Sequence, residues 1–204
     1  MARGKPIVVL AVQGAFERHA RMLRSLGHEV RLARRADDLA DAAGLVLPGG
    51  ESTVQLDLIA RFDLEGPIRS LVSAGVPVLA TCAGLILAAE CVLGPPQRSF
   101  GVLDVTVTRN GWGRQLDSFE AMSDAGRSLV LIRAPRITSV GPRAQVVDRL
   151  AGEPILVRQG AVWGATFHPE LTDDASLHAK VFGASAHLAS TTPRSRKARS
   201  TMTT

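Results

Sequence analysis

Four short apolar runs, each separated from the next by a helix-patterned segment, fill the first 80 residues and restrict the chain to very few folds. Ile7-Val8-Val9-Leu10-Ala11-Val12 is wholly apolar, as a parallel strand covered on both faces must be. Phe16 to Leu26 has helical spacing and stops at Gly27, a residue suited to close a helix. Glu29 to Ala33 and Gly44 to Pro48 read as the second and third strands, with a short helix at Asp37 to Ala42 between them. Val54 to Ile59 and Ile68 to Ala74 are helical, and Val76 to Leu79 is the fourth strand. Strand and helix alternating in this way predict an α/β fold built on a doubly wound, mostly parallel sheet.

The fourth strand runs into Ala80-Thr81-Cys82-Ala83-Gly84, and a helix is predicted over Leu85 to Cys91. A sharp strand-to-helix turn lifts a nucleophile clear of a sheet, and only small neighbours fit such a turn. The amides of the following helix point back at the sulfur and favour its thiolate. A buried, inert cysteine is the alternative. Near the C-terminal end stands Thr166-Phe167-His168-Pro169-Glu170, after the strand-like Ala161-Val162-Trp163-Gly164. A thiol nucleophile needs a base, and an imidazole needs a third group to hold its tautomer. Residues i and i+2 of an extended segment share a side, and Pro169 keeps His168 out of the helical region. His168 and Glu170 are thus presented together, though a direct bond between them requires some local twist.

Ligands of such sheets bind beyond the carboxyl ends of the strands. Gln13-Gly14, Gly49-Gly50-Glu51 and Cys82 all fall there. The glycine pair lets backbone N–H groups turn toward a ligand, as an oxyanion site requires.

Beyond Cys91 the pattern changes. Val102 to Thr108, Leu129 to Arg133, Ile137 to Val140, Ala144 to Val147, Ile155 to Val157 and Ala161 to Phe167 read as strands, several antiparallel. A last helix is predicted over Ser176 to His187. No internal repeat and no interdomain linker interrupts the chain. Residues 1–188 read as one domain, and 189–204 as a disordered basic tail.

The net charge is +5, but Arg194, Arg196, Lys197 and Arg199 lie in that tail, and without them it falls to +1. A solvated terminus is therefore favoured over a nucleic-acid arm. Scarce aromatics and no tyrosine argue against a base-stacking platform. No segment approaches the roughly 20 apolar residues of a membrane span, and Ile7 to Val12 is too short for a signal-peptide core. The two cysteines, Cys82 and Cys91, have neither metal nor Cys-x-x-Cys spacing. On one helix they would face opposite ways. A reducing cytoplasm suits them.

With these residues in place, the chain resembles the class I glutamine amidotransferases, and within them the glutaminase subunits of two-component pyridoxal 5′-phosphate synthases. The resemblance rests on Pro48-Gly49-Gly50-Glu51-Ser52-Thr53, Thr81-Cys82-Ala83-Gly84-Leu85-Ile86-Leu87-Ala88, Arg109-Asn110, Gly113-Arg114-Gln115-Leu116-Asp117-Ser118-Phe119-Glu120, Ile132-Arg133-Ala134-Pro135 and Thr166-Phe167-His168-Pro169-Glu170-Leu171-Thr172. It implies a three-layer, flavodoxin-like fold with extra antiparallel strands in the C-terminal half. It further implies that Cys82 attacks the side-chain amide of L-glutamine, that His168 carries protons and that Glu170 orients the imidazole. Backbone N–H groups of Gly50 and Ala83 would hold the oxyanion. Gly49, Gly50, Glu51, Arg109, Ile132 and Arg133 match glutamine-binding positions. An amino acid wants arginine for its carboxylate and an acid or carbonyl for its ammonium.

The same resemblance implies no metal and no cofactor. It implies a partner: a barrel-fold synthase subunit that takes the ammonia and, on docking, switches the glutaminase on. Gln13 falls where the family has a partner-responsive residue. Three features depart from the family pattern: Gly111-Trp112 in the Asn-x-Phe-Gly segment, Val54 after Ser52-Thr53, and everything beyond about Leu188. Trp112 is expected to keep a packing role while Gly111 loosens its segment. The competing readings are a glutaminase subunit for histidine or nucleotide synthesis, against which Asp117-Ser118-Phe119-Glu120 argues, and a non-catalytic scaffold of similar topology.

Overall fold

The computed structural model describes residues 4–112 and 118–183. Its first half follows the predicted alternation: β1 (Ile7–Leu10), α1 (Phe16–Ser25), β2 (Val30–Ala33), β3 (Gly44–Leu47), α2 (Ser52–Arg61), α3 (Glu65–Ser73), β4 (Val78–Thr81) and α4 (Ala83–Ala88). Next come β5 (Ala89–Leu93), β6 (Leu103–Thr108), β7 (Ser118–Met122), β8 (Ser128–Ile132), β9 (Arg136–Val140), β10 (Gln145–Leu150), β11 (Glu153–Gln159), β12 (Val162–Ala165) and α5 (Ser176–Phe182).

Seven strands form the central sheet in the order β10-β11-β12-β4-β3-β1-β2. β12, β4, β3, β1 and β2 run parallel, while β11 is antiparallel to both β12 and β10. All four residues of β1, β3, β4 and β12 are buried, which explains why these strands are apolar at nearly every position. Their side chains alternate between two cores. Val8, Leu10, Leu45 and Leu47 pack on one face with Ile59, Ile68, Leu85 and Leu87, from α2, α3 and α4. Ile7, Val9 and Val46 pack on the other with Ala20 and Leu23 of α1 and Leu177 and Val181 of α5. The result is a three-layer α/β structure. A three-stranded sheet (β5-β6-β9) and a two-stranded one (β7-β8) are added beside it.

Several boundaries differ from the sequence-based expectation. The helix predicted over Leu85 to Cys91 begins at Ala83 and ends at Ala88, and Ala89 turns extended (φ −58°, ψ 152°) to start β5. Parallel pairing of β5 with β6 overrides the helical preference of Ala89-Glu90. Cys91 therefore stands exposed on a strand and shares no helix with Cys82. The helix predicted over Asp37 to Ala42 is one 3-10 turn, Ala36–Leu39. There the Asp38 carboxylate accepts hydrogen bonds from the Arg34 and Arg35 amides at 2.9 and 3.0 Å. β7 has no strong apolar alternation to announce it. Helix α5 closes at Gly183 (φ 78°), and the rest of the helix predicted to His187 lies outside the described residues, as do Gly113 to Asp117 and the basic tail.

Trp112 does pack: its Nε1–H donates to the Pro135 carbonyl at 3.1 Å and its ring meets Phe119 edge-on. Gly111, however, is a tight fit and not a loose one. A Cβ there would collide with the Arg136 Cβ and lie 3.1 Å from the Thr108 carbonyl.

Candidate active site

Because β1, β3, β4 and β12 are parallel neighbours, the segments leaving them emerge along one edge of the sheet. Gln13 follows β1, Gly49-Gly50-Glu51 follows β3, Cys82 follows β4 and His168 follows β12. Segments far apart in the sequence thereby meet.

Cys82 occupies the turn between β4 and α4 with φ 47° and ψ −103°, a conformation costing a non-glycine residue about 1–3 kcal/mol. Its surroundings hold it there. The Cys82 N–H donates to the Ala165 carbonyl at 2.8 Å, tying the turn to β12. Gly84 lies so close to β3 that any Cβ would strike the Leu47 carbonyl, which is why small residues flank the cysteine. The side chain is 6% exposed, and its thiol is directed at the Ile132 carbonyl, 3.9 Å away.

His168 is pinned through its N–H to the Val130 carbonyl at 2.8 Å. Pro169 then opens a 3-10 turn, Pro169–Leu171, and this supplies the twist that a flat strand lacks. As a result His168 Nδ1 and Glu170 Oε1 stand 2.7 Å apart. The ring's other side is left for Cys82. Gly49 marks how close the two are: a Cβ there would collide with the His168 Cε1, lie 2.8 Å from its Nδ1 and 3.3 Å from the Cys82 Cβ.

Burial opposes charge on this imidazole, but the neighbouring Cys82 sulfur and Glu170 carboxylate outweigh it and carry the His168 pKa up to about 10. Burial likewise favours a neutral Glu170. Here the neighbouring His19 ring and the bond to His168 prevail and hold the carboxyl below its ordinary range. The stability that His168 contributes is complete below its unfolded pKa near 6.5 and is lost as pH rises toward 10. Denaturant unfolding of wild type and His168→Gln should therefore give a free-energy difference that narrows steadily over that interval. A difference independent of pH would contradict the raised pKa.

A cavity of about 230 Å³ opens above these groups. Among the predicted site residues, Gly50, Glu51, Cys82, Arg109, Ile132, Arg133 and His168 line it. Gly49 lies beneath it, against the imidazole, and Glu170 behind the imidazole. Ala83 is 1% exposed and directly follows the cysteine, at the start of α4. Inside the cavity the Glu51 carboxylate lies 3.3 Å from the Arg109 guanidinium and 3.8 Å from that of Arg133. Such a site offers both charges that a free amino acid needs. Gln13 braces the glycine loop: its Oε1 accepts from the Glu51 amide at 2.9 Å, and its carbonyl accepts from Gln55 Nε2 at 3.0 Å.

Sequence reasoning missed several groups. Ser52, Ile86 and Asn110 also line the cavity. Behind Glu170 lie three buried polar residues, His19, Thr81 and His178, each 0% exposed. The apolar helical face that carries His19 was the available signal, since a histidine among Ala20 and Leu23 needs a polar partner.

These features agree with what is found among known proteins. The profile of the SNO glutamine amidotransferase family matches residues 9–185. The pyridoxal 5′-phosphate synthase subunit PdxT of Shouchella clausii (strain KSM-K16) is 46% identical over 177 residues, spanning 84% of this chain and 91% of that relative. The protein of the same name from Deinococcus radiodurans is 46% identical over 185 residues, with 86% and 94% covered. A crystal structure of a glutamine amidotransferase superposes with a TM-score of 0.81 at 39% identity, covering 87% of this chain and 99% of that one. A glutamine amidotransferase from Thermotoga maritima shares the fold, with a TM-score of 0.57 at 14% identity over 92% and 87% of the two chains. A cysteine turn, a histidine–glutamate pair and a glycine loop gathered at one sheet edge thus accompany a profile match over most of the length, and the chain belongs to the SNO glutamine amidotransferase family.

Proposed function

We propose that this chain hydrolyses L-glutamine to L-glutamate and ammonia through a γ-glutamyl thioester on Cys82, within a domain spanning residues 1–188. The observation that carries the reading is the enclosure of Gly49 between the His168 ring and Cys82, with Glu170 at 2.7 Å behind that ring. With the thiol proton already held by His168, Cys82 Sγ attacks the side-chain amide carbon as a thiolate. The oxyanion that forms is held by the backbone N–H groups of Gly50 and Ala83. His168 gives its proton to the amide nitrogen, the carbon–nitrogen bond breaks, and ammonia leaves. Water then attacks the thioester as His168 accepts its proton. The carbon–sulfur bond breaks, the proton passes to sulfur, and glutamate departs. Glu170 keeps the imidazole in the tautomer that exposes Nε2 to the sulfur. Arg109 and Arg133 receive the substrate α-carboxylate and Glu51 its ammonium, with Gly49, Gly50 and Ile132 shaping the wall.

The PdxT relatives are named as subunits of a pyridoxal 5′-phosphate synthase. We extend that role to this chain: its ammonia goes to a synthase subunit of barrel fold in the cytoplasm, where its two free thiols remain reduced. Docking acts as the switch. In the free chain the Cys82 sulfur is engaged with the Ile132 carbonyl, 3.9 Å away, a contact that has to give way before the sulfur reaches a substrate amide. Glutamate release should therefore be slow for the chain alone and rise on addition of the synthase subunit. Equal rates would refute the switch, and no release under either condition would refute the glutaminase reading.

A further inference from the structure

Glu170 has two carboxylate oxygens, and the triad accounts for only one. Oε1 faces His168, while Oε2 is buried and, among the described residues, makes no well-angled hydrogen bond. A carboxylate oxygen removed from water needs a compensating donor. The His19 ring faces it: its Nε2 stands 3.2 Å from Oε2, off the line of a well-angled hydrogen bond, and makes its hydrogen bond to Thr81 Oγ1 at 3.2 Å. His19 Nδ1 is in turn 2.8 Å from His178 Nε2. Helix α1, strand β4 and helix α5 thus each send one fully buried polar side chain to the back of Glu170.

The protons can be placed from this network. Glu170 is ionised, so a bare ring nitrogen facing Oε2 would be repelled, and His19 Nε2 carries a proton. One proton lies between His19 Nδ1 and His178 Nε2. Burial first, and His19 second, hold His178 neutral, with its pKa pushed down to about 3. Among the described residues its Nδ1 has no partner. An unpaired buried acceptor is easier to tolerate than an unpaired buried N–H, so the His178 proton sits on Nε2 and is donated to His19. Beyond His178 the nearest charges are Asp174, which Ser176 engages through its amide, and Arg127, 3.2 Å from that carboxylate.

We propose that His19 is a positioning residue for the triad: its Nε2–H, shared between Thr81 Oγ1 and the second oxygen of Glu170, keeps the carboxylate from rotating away from His168. The terminal torsion of a glutamate is broad, and a single anchored oxygen does not fix it. Two anchored oxygens do. The proposal deepens the glutaminase reading and rests on it. It also gives α1 a double role. Ala15, just before α1, donates its N–H to the Gly49 carbonyl at 2.9 Å, and His19 lies one turn further along. One helix thereby holds both the glycine loop and the triad carboxylate.

Two substitutions separate this role from mere packing. The amide nitrogen of glutamine can occupy the place of His19 Nε2, whereas that of asparagine reaches only the place of Nδ1. With the synthase subunit present, His19→Asn should lower kcat about 10- to 100-fold with little change in KM, as loss of an outer partner of a reactive group does. His19→Gln should recover most of that loss. The low-field proton resonance of the His168–Glu170 hydrogen bond, read by NMR on the free chain, should shift or broaden in His19→Asn and keep its wild-type position in His19→Gln. An unmoved resonance or an unchanged kcat in His19→Asn overturns the proposal, and so do equal losses in both variants. Should His19→Asn not fold, His178→Leu takes its place. It removes the donor to His19 Nδ1, and the same resonance must move. The resonance needs no turnover, so a chain that releases no glutamate would defeat the glutaminase reading while His19 was still being tested.

Discussion

Cys82→Ala is expected to release no glutamate above background and still to bind glutamine. The substitution removes the one atom that can form the thioester, and among the described residues no other thiol lines the cavity. Ser52, at the start of α2, also lines the cavity, but its hydroxyl donates to Gln97 Oε1 at 3.0 Å. Removing a nucleophile of this kind costs about 10⁴-fold or more in kcat. In the proposed mechanism binding is carried elsewhere. Glu51, Arg109 and Arg133 keep their positions, because they hang on the glycine loop, the end of β6 and the end of β8. Alanine at this position still has to adopt φ 47°, so the turn keeps its strain and its bond to Ala165. Glutamate assays with the synthase subunit, set beside calorimetric titration with glutamine, check both halves of the expectation. Turnover in the variant would end the covalent mechanism.

The second large effect falls on a residue with no side chain. Gly49→Ala places a Cβ onto the His168 ring, in collision with Cε1 and 2.8 Å from Nδ1. The opposing wall is Cys82, at 3.3 Å, and cannot yield, since its turn is locked between β12 and Leu47. The imidazole must therefore move. It cannot do so without lengthening its 2.7 Å bond to Glu170 or changing its distance to the sulfur. A misplacement of about 1 Å in a reacting group costs on the order of 10²-fold, so kcat should fall by at least that much. The His168–Glu170 resonance should move as well. Activity near wild type in Gly49→Ala would mean that the imidazole is not confined as the structure has it.

Much of this site is legible in the chain because its parts obey local rules. A β-branched run ending in Ala-Thr-Cys-Ala-Gly describes a strand and a tight turn, and Gly84 is required by the approach of Leu47. His168-Pro169-Glu170 names two groups two residues apart, and Pro169 at the start of a 3-10 turn brings them into contact. What the local pattern does not contain is pairing across the fold. His19 and His178 are 159 positions apart, and each alone resembles an ordinary core histidine. Their meeting follows only from α1 and α5 packing on the same face of the sheet. β5 was hidden for a related reason: Ala89-Glu90-Cys91 favours a helix locally and becomes a strand because β6 is there to pair with it. Gly111 shows the same limit, since the Arg136 atoms that exclude a Cβ belong to a different strand.

The central claim, that the Cys82 sulfur is a nucleophile in a glutamine-shaped cavity, is tested most directly by mass. The chain, with its synthase subunit present, is incubated with a diazo-ketone analogue of glutamine and weighed intact, then after digestion. One adduct is predicted, on Cys82, suppressed by excess glutamine and missing from Cys82→Ala. Cys91, an exposed thiol on β5, serves as the internal control and should stay unmodified. A wild-type chain that remains unlabelled, or that labels at Cys91 as readily as at Cys82, contradicts the account.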